Sequence, residues 1–445
     1  MNQEDYKLPL GQKASLVSLI CDKFENHSTA IETNSSLREL RELLRTLGIP
    51  AGEEYVQNRK QLDPATMLGE GKLAEIADAA REEGSALLVF DFELTASQAR
   101  NIKEITKLEV VDRNTVILEI FAHHARTKEA KIQIEISRLK YLLPRLTSMW
   151  GHFSKQRAAG AAIGGEGEQQ LELDRRMVRE RIEFYKKQLE DVQRTREQQG
   201  KKRQNQAVTA ALVGYTNAGK SSLMNRLCKV NVLEENKLFA TLDSTFRTLN
   251  PDSKPPMIMI DTVGFISNLP NTLVQGFRTT LESALEADLL VIVCDISDPN
   301  YQKHMRVTQD VLKELKIDEK QQIVVFNKKD LLSDPVRARI IMRNYPNSFL
   351  VSSYDEDDMK GLRNYLIDHF LSKQDHYDLF IPYEAGDAHA RVRGNANIMN
   401  LTSHEQGIFY RIRIPDFIFQ QLGLQPYILA PQEAKEWENN IPFPG

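Results

Sequence analysis

The sequence predicts an α/β protein built around a doubly wound, phosphate-loop domain, with further domains before and after it in the chain. Three observations support this fold class. Apolar segments of strand length alternate with amphipathic helical patterns between about residues 207 and 373. A glycine-rich loop follows the first of these strands. Two stretches with heptad spacing of apolar residues precede that strand, as in an antiparallel helical hairpin.

These observations divide the chain into four zones. Residues 1–125 are predicted to form a small α/β domain, and 126–206 a helical hairpin with a glycine-rich tip at 157–168. The doubly wound domain takes 207–373, and a small C-terminal α/β domain takes 374–445.

The composition argues against several classes of protein. The chain has 445 residues, enough for several apolar cores, and no apolar run approaches the roughly 18 residues that a membrane-spanning helix needs. Its three cysteines have no short spacing, which argues against a disulfide framework and against a cysteine-ligated zinc site. Glu4 and Asp5 lie where a signal peptide carries positive charge. We therefore expect a reduced, cytoplasmic protein with no integral membrane association.

The first zone shows the alternation of a parallel or mixed sheet. Helical patterns at 72–83 and 96–106 are interleaved with apolar strands at 86–90 and 109–112. The run Gly69-Glu-Gly-Lys72 resembles a phosphate loop but lacks its full spacing, so we interpret it as a turn before a helix.

The predicted hairpin has two apolar seams. In the first arm, apolar residues recur at alternating spacings of four and three positions. In the second arm, apolar residues recur every seven positions, and Ile182 and Leu189 add two further apolar positions between them. Pro144 is expected to kink the first arm or to split it in two. The tip has little to bury, so we expect it to be exposed and flexible. The seam residues are Ile132, Ile136, Leu139, Leu143, Leu146, Trp150 and Phe153, and then Leu171, Val178, Ile182, Tyr185, Leu189 and Val192.

The hairpin is basic although the whole chain is acidic. Residues 126–206 hold 19 Lys and Arg against 11 Asp and Glu, whereas the net charge of the chain is −4. This asymmetry favours a polyanionic partner. An exposed tip held away from the body by a basic stalk looks like a probe that is inserted into RNA, and we expect no DNA partner. A solvated helix face, or a spacer between domains, is the alternative interpretation. The candidate RNA-binding residues are Arg157, Gly160, Gly164, Gly165, Gly167, Arg175 and Arg176.

The glycine-rich loop of the third zone is a complete phosphate-binding motif, placed between a strand and a helix as that motif requires. Its backbone N–H groups would surround the β-phosphate, Lys220 would reach the β- and γ-phosphates, and the Ser221 hydroxyl would bind Mg²⁺. The candidate binding residues are Gly214, Tyr215, Thr216, Asn217, Ala218, Gly219, Lys220 and Ser221.

Two further motifs follow in order and select the nucleotide. In Asp261-Thr262-Val263-Gly264, the aspartate can hold a Mg²⁺-bound water and the Gly264 N–H can sense the γ-phosphate. In Asn327-Lys328-Lys329-Asp330, the Asp330 carboxylate can accept two hydrogen bonds from guanine N1 and N2, a pairing that adenine cannot reproduce. Asn327 would link the base side to the phosphate loop. The sequence therefore predicts a GTP site with Mg²⁺.

Two loops complete the predicted site. Phe239-Ala240-Thr241-Leu242-Asp243 lies where the switch loop of a GTPase is expected. Thr241 is the predicted second protein ligand of Mg²⁺, present only with GTP bound, and Thr245 is its competitor. Ser352-Ser353-Tyr354 follows the last strand and would contact guanine O6 through backbone N–H groups.

Lys220, Thr241 and Gly264 are the predicted catalytic residues, and one usual group is missing. Many GTPases carry a water-orienting Gln directly after this glycine, where Phe265 stands here. Either the ring packs in the core or catalysis needs an external or rearranged group, and both interpretations predict slow intrinsic hydrolysis. Asn217 is a candidate for placing a monovalent cation such as K⁺.

Taken together, these motifs resemble the HflX GTPases of the Obg-HflX superfamily. The resemblance rests on the basic hairpin, on Gly-Glu-Gln-Gln-Leu-Glu-Leu-Asp-Arg-Arg at 167–176, and on GYTNAGKS, FATLD and DTVGF. In the N-terminal half it rests on Tyr141-Leu-Leu-Pro-Arg-Leu146, Asp112-Arg113 and the run at 120–126. The family tip usually reads Arg-Gly-Pro-Gly-Glu, whereas residues 164–168 read Gly-Gly-Glu-Gly-Glu, and Glu166 would be repelled by RNA phosphates. Ser353 stands where Ala is usual, which a backbone contact tolerates.

The resemblance implies a GTP hydrolase that binds the large ribosomal subunit and its rRNA. Its N-terminal domain would point at the peptidyl-transferase region, and it would split stalled ribosomes, notably under heat stress. Splitting would follow from binding in the GTP state, and hydrolysis would release the factor. Two alternatives stay open: a large-subunit assembly GTPase, and a GTP-gated rRNA-binding protein with negligible turnover. We expect a monomer, partly ribosome-associated.

Overall fold

The structure is a computed structural model that describes residues 11–22, 24, 27–157, 164–204, 207–229, 239, 245–251, 253–267, 284–332 and 334–430. They form two compact units. The first contains the described residues up to 193 together with Phe239, Ile266 and Ser267, and the second contains the others. The division into four zones stays a prediction.

A four-stranded parallel sheet lies at the centre of the first unit. Its strands are β1 (Ala14–Ile20), β2 (Ala51–Asn58), β3 (Leu87–Phe90) and β4 (Glu109–Asp112), in the order β2-β1-β3-β4. The accompanying helices are α1 (Ala30–Thr46), α2 (Glu70–Glu82), α3 (Ala96–Thr106) and α4 (Arg113–His124). Gly69 caps α2, so the Gly69–Lys72 run is the turn and helix start that its short spacing predicts.

Two long helices follow, α5 (Lys128–Arg157) and α6 (Gly164–Gln204). Their shared core contains six buried side chains from the predicted seams: Ile132, Ile136, Leu139, Leu146, Val178 and Ile182. Pro144 lies inside α5, so of the two expected outcomes, a kink or a split, the split is wrong. The apolar face on both sides of the proline packs against α6, and this packing compensates for the missing backbone hydrogen bond.

The tip differs from the expected loop. Helix α6 begins at Gly164, so Gly164, Gly165 and Gly167 are helical, although glycine-rich sequence favours flexible chain. Glu166 and Glu168 lie near the amino end of that helix. Residues 158–163, and the side chains from 147 to 171, lie outside the described part of the chain.

A buried carboxylate joins the sheet to the hairpin. Both Asp112 oxygens accept from the Tyr141 hydroxyl at 2.6 Å, and Arg145 donates to the same carboxylate at 3.1 Å. The Leu94 and Thr115 N–H groups also donate to it. The Tyr-Leu-Leu-Pro-Arg-Leu segment therefore fixes α5 against the end of β4.

The second unit is built on the doubly wound sheet that the sequence predicts. Its order is β10-β9-β8-β5-β7-β6, parallel throughout except for β6 against β7. The strands are β5 (Val208–Gly214), β6 (Thr245–Asn250), β7 (Met257–Asp261), β8 (Leu289–Asp295), β9 (Gln322–Asn327) and β10 (Ser348–Leu350). The helices are α7 (Lys220–Leu227), α8 (Tyr301–Glu314), α9 (Pro335–Asn344) and α10 (Glu356–Ser372). Sequence analysis missed β6, whose six residues include only two strongly apolar side chains.

The last elements form a small antiparallel sheet with two helices. Strands β11 (Asp375–Pro382), β12 (Asn397–Ser403) and β13 (Gly407–Ile414) have the order β11-β13-β12. Helices α11 (Gly386–Asn395) and α12 (Asp416–Leu422) share its apolar core. Within the described ranges, no helix is long and apolar enough to span a bilayer.

Candidate nucleotide-binding site

The phosphate loop lies at the carboxyl end of β5, the edge where doubly wound sheets bind ligands. Two of its glycines are required by close packing. Gly214 has φ +147°, and a Cβ there would collide with the Val293 carbonyl oxygen. Gly219 has φ +88°, and a Cβ there would collide with the Asn327 side chain. Glycine at both positions lets the loop pack closely on its neighbours before the amino end of α7, the end of a helix that favours an anionic ligand.

Lys220 is buried against the phosphate loop. Its Nζ donates to the Tyr215 and Gly214 carbonyl oxygens at 2.8 and 3.1 Å. Burial lowers its pKa to about 8, and the negative charge of Asp261 opposes that shift. A phosphate beside the ammonium would stabilise the charged form, which is the form that binds an anion.

Ser221 and Asp261 meet at the ends of two neighbouring elements. The Ser221 hydroxyl donates to Asp261 Oδ2 at 2.7 Å. Asp261 is almost fully buried at the end of β7, and Thr245 stands opposite it in β6. A hydroxyl and a carboxylate are hard oxygen ligands of the kind that Mg²⁺ prefers, so these residues fit that ion.

The segment after Asp261 packs directly on the phosphate loop. A Cβ at Gly264 would lie 2.8 Å from both Cα and Cγ2 of Thr216 and 2.9 Å from Lys220 Nζ, so only glycine fits. The Phe265 N–H donates to the Gly214 oxygen at 3.0 Å, and the Thr216 N–H donates to the Phe265 oxygen at 2.7 Å. Thr262 and Val263 are buried.

The Phe265 ring is 1% exposed, so it packs in the core. An aromatic ring in that position cannot orient a water molecule at the γ-phosphate.

Asn327 joins the phosphate loop to the predicted base-binding loops. Its Nδ2 donates to the Ala218 oxygen at 3.0 Å, and its Oδ1 accepts from the Ser353 N–H at 3.1 Å. Lys328 extends to Asp295, with Nζ and Oδ2 2.6 Å apart. The sequence analysis did not include Asp295; the signal was an aspartate at the end of a buried strand.

A cleft of about 570 Å³ brings the base-binding candidates together. Its lining includes Lys329, Asp330, Ser352 and Tyr354, with apolar walls from Leu332, Ala338 and Leu350. The backbone N–H groups that were predicted to contact guanine O6 already donate to acceptors within the protein. The N–H groups of Ser352, Ser353 and Tyr354 donate to Asp358, Asn327 and the Ser352 hydroxyl, respectively. The Tyr354 N–H to hydroxyl contact, at 3.2 Å, is the longest of the three.

The remaining candidates are not among the residues that line this cleft, or they lie outside the described part of the chain. The Phe239 ring packs on Phe121 of the first unit, with ring centroids 4.6 Å apart. Ala240, Thr241, Leu242 and Asp243 are outside the described residues, as is Gly160 of the hairpin tip. Arg157 ends α5, and Arg175 and Arg176 lie about three turns after the start of α6.

Sequence analysis did not predict one contact of the phosphate loop. The Tyr215 ring stacks on His304 of α8, with centroids 3.8 Å apart and planes within 11°. Nothing local in the sequence signals this pair, because 89 positions separate the two residues.

Three family models match the chain in order. Residues 34–122 match the N-terminal domain of GTP-binding GTPases, and 124–203 match their middle region. Residues 209–328 match the model described as a 50S ribosome-binding GTPase.

Two relatives that match most of this chain are HflX GTPases. The GTPase HflX of Gluconacetobacter diazotrophicus is 38% identical over 86% of this chain and 92% of its own. That of Escherichia coli K12 is 34% identical over 93% of this chain and 96% of its own. A crystal structure of a protein called SsGBP with GDP is 24% identical, with a TM-score of 0.47, over 80% of this chain and 98% of that one.

The geometry and the relatives agree on the chemistry. The chain binds guanine nucleotides and hydrolyses GTP. It belongs to the HflX family of GTPases.

Proposed function

We propose that this protein is a GTP-dependent factor that binds the large ribosomal subunit and splits or rescues stalled ribosomes. Hydrolysis of GTP to GDP and phosphate then releases it. The observation that carries the proposal is the presence of a guanine-nucleotide site and a long basic hairpin on one chain. The match of 209–328 to a 50S ribosome-binding GTPase supports the same partner. The protein would act as a monomer in the cytoplasm.

The hairpin has the length and the charge for contact with rRNA. Helix α5 has 30 residues, which corresponds to about 45 Å along its axis. The excess of Lys and Arg over acidic residues between 126 and 206 would attract RNA phosphates, and binding would weaken with salt. The proposed rRNA contacts lie around the tip: Arg157, Gly160, Gly164, Gly165, Gly167, Arg175 and Arg176.

The nucleotide site would hold GTP with Mg²⁺. Ser221 would bind the ion directly, Asp261 through water, and Thr241 as a further ligand when GTP is present. Bound Mg²⁺ neutralises charge on the β- and γ-phosphates. Lys220 would hold its ammonium against those phosphates, and the Gly264 N–H would donate to the γ-phosphate. Asp330 would select guanine.

Catalysis by this chain alone would be slow. The buried Phe265 ring supplies no hydrogen-bonding group, so the group that orients water would come from the ribosome or from a bound monovalent cation. Asn217, at φ +58° in the phosphate loop, is the proposed site for K⁺. Exchange of K⁺ for Na⁺ should then slow hydrolysis, and an unchanged rate would exclude this role.

The first experiment compares GTP hydrolysis with and without purified large ribosomal subunits. Strong stimulation is expected, followed by a light-scattering assay in which GTP-bound protein splits intact ribosomes. Binding restricted to immature large subunits would instead indicate an assembly factor. Nucleotide and ribosome binding without any stimulation would indicate a GTP-gated binding protein.

Two variants test the hairpin in the same assay. Deletion of residues 157–168 should abolish splitting and leave GTP binding intact, whereas a hairpin that is only a spacer would keep its activity. Arg176→Glu should weaken subunit binding. Arg339→Glu, an equal change of charge at an exposed position of α9, is the matched control.

A further inference from the structure

One carboxylate of the second unit contacts both of the predicted base-binding loops. Asp358, in the first turn of α10, accepts from the Lys329 Nζ at 2.6 Å through its Oδ1. Its Oδ2 accepts from the Ser352 N–H at 2.7 Å. Lys329 belongs to the 327–330 motif and Ser352 to the 352–354 loop. Asp358 therefore joins the two loops, although sequence analysis did not include it.

The cap of α10 fixes the position of Asp358. Asp355 Oδ1 accepts from the N–H groups of Asp357 and Asp358, both at 3.0 Å. The Asp358 side chain is 16% exposed, whereas that of Asp357 is 96% exposed. Because the Asp358 carboxylate is largely shielded from water, its attraction for the Lys329 ammonium is screened less than that of a surface acid. The hydrogen bond to Asp358 raises the pKa of Lys329, so this side chain is a cation at neutral pH.

The other lysine of the motif is held separately. Lys328 Nζ lies 2.6 Å from Asp295 Oδ2, and Asp295 Oδ1 accepts from the Ser297 N–H at 2.9 Å. The backbone at this strand end is paired as well, since the Ile296 N–H donates to the Asn327 oxygen at 3.1 Å. Lys329 is therefore the ammonium of this motif whose position depends on Asp358.

Recognition of guanine by Asp330 needs a carboxylate that no lysine occupies. The Asp330 side chain is exposed and lines the same cleft as Lys329, the residue directly before it. An ammonium attracts a carboxylate by its charge, which the neutral N–H groups of guanine do not. Because a lysine stem is flexible, the Lys329 ammonium would turn toward Asp330 without the Asp358 carboxylate and would compete with the base. Asp358 itself is not among the residues that line the cleft.

We propose that Asp358 is a positioning residue for guanine recognition: it holds the Lys329 ammonium away from Asp330 and so leaves the Asp330 carboxylate for the base. Asp358 acts through Lys329 and not by contact with the nucleotide. This inference rests on the proposed role of Asp330 in selecting guanine.

The test measures the affinities of the full-length protein for GDP and for inosine diphosphate, which lacks the 2-amino group of guanine, by isothermal titration. The ratio of the two affinities reports the hydrogen bond from that amino group. Asp358→Asn keeps an oxygen that can accept from the Ser352 N–H but removes the charge that holds Lys329. It should lower the ratio about threefold to tenfold, which is part of what a hydrogen bond to a charged group contributes.

A second change distinguishes competition by the lysine from general damage to the loops. Asp358→Asn combined with Lys329→Met should recover most of the wild-type ratio, because no ammonium then remains beside Asp330. A loop that is merely displaced would not be repaired by this second change. Asp358→Ser replaces Asp358→Asn if the latter does not fold.

Asp357→Asn is the matched control, since it removes an exposed acid from the same turn of α10. It should leave the ratio unchanged. An unchanged ratio in folded Asp358→Asn, an equal fall in Asp357→Asn, or no recovery in the double variant would each overturn the proposal. Asp330→Ala separates the two hypotheses: if it lowers the ratio and Asp358→Asn does not, this proposal fails and the role of Asp330 stands. If Asp330→Ala leaves the ratio unchanged, both fail.

Discussion

Replacement of Gly264 by alanine tests whether close packing on the phosphate loop is needed to bind the γ-phosphate. The added Cβ would lie 2.8 Å from the Thr216 backbone, whereas ordinary contacts begin at 3.4 Å. Lys220 Nζ, at 2.9 Å from the same point, ends a flexible side chain and can move, but the Thr216 Cα cannot move without the loop. The overlap is therefore relieved by separating the Asp261–Phe265 segment from the phosphate loop.

The size of the expected loss in GTP affinity follows from that overlap. Enlarging a tightly packed residue costs about 1–3 kcal/mol, and here the cost falls on the conformation that brings the Gly264 N–H to the γ-phosphate. We expect affinity for a GTP analogue to fall about fivefold to 150-fold. Affinity for GDP, which has no γ-phosphate, should change less than about threefold.

The assay is isothermal titration of both nucleotides, with thermal unfolding measured in parallel. Gly361→Ala in α10 is the matched control, because a Cβ there meets no atom within 4 Å. That change should raise stability slightly, since alanine favours helix more than glycine does. Wild-type GTP affinity in folded Gly264→Ala would refute the reasoning.

Three further predictions concern the phosphate loop and the first unit. The Lys220 pKa of about 8, lowered by burial, should make GTP affinity fall by up to about tenfold per pH unit above that value, as measured by titration at pH 7, 8 and 9. His304→Ala removes the stacked ring under Tyr215 and should weaken GTP binding about twofold to tenfold, since such pairs contribute about 0.5–1.5 kcal/mol. Tyr141→Phe removes the hydroxyl that donates to buried Asp112 and should cost about 1–3 kcal/mol of unfolding free energy in urea.

The lowered pKa of Lys220 also predicts how the stability of the nucleotide-free protein depends on pH. The ammonium has its ordinary pKa of 10.5 when unfolded and a lower one when buried, so folding releases a proton between about pH 8 and 10.5. Stability should therefore rise with pH across that window, and Lys220→Met should remove this rise. A flat wild-type profile would contradict the burial argument.

Controls distinguish these effects from general damage. Tyr383→Phe changes an exposed tyrosine whose hydroxyl donates to a carbonyl, and should alter stability by less than about 0.5 kcal/mol. For the stacked pair, unchanged GTP affinity in His304→Ala would show that the ring does not support the loop. If Tyr141→Phe were as stable as wild type, the other donors to Asp112 would suffice.

The fold class and most strands of the doubly wound sheet were predictable from the sequence because their signals are local, whereas β1, β2, β11 and β12 were not predicted. Apolar strands, their lengths and the loops that follow them are contiguous, and parallel order brings their carboxyl ends to one edge. Strand β6 was missed because Thr245–Asn250 carries little apolar pattern and is selected by pairing with β7. The tip glycines were expected in a loop because composition alone says nothing about where a long helix begins.

For the site, the sequence alone determined which chemistry is present. The phosphate loop, Asp261, Gly264 and the Asn327–Asp330 motif each depend on a few neighbouring residues at the end of one strand. Only the tertiary structure decided how they are supported: the buried Phe265 and the stack of His304 on Tyr215. These contacts join residues tens of positions apart, and the free energy of burying a ring depends on the surface that meets it, which no local pattern contains.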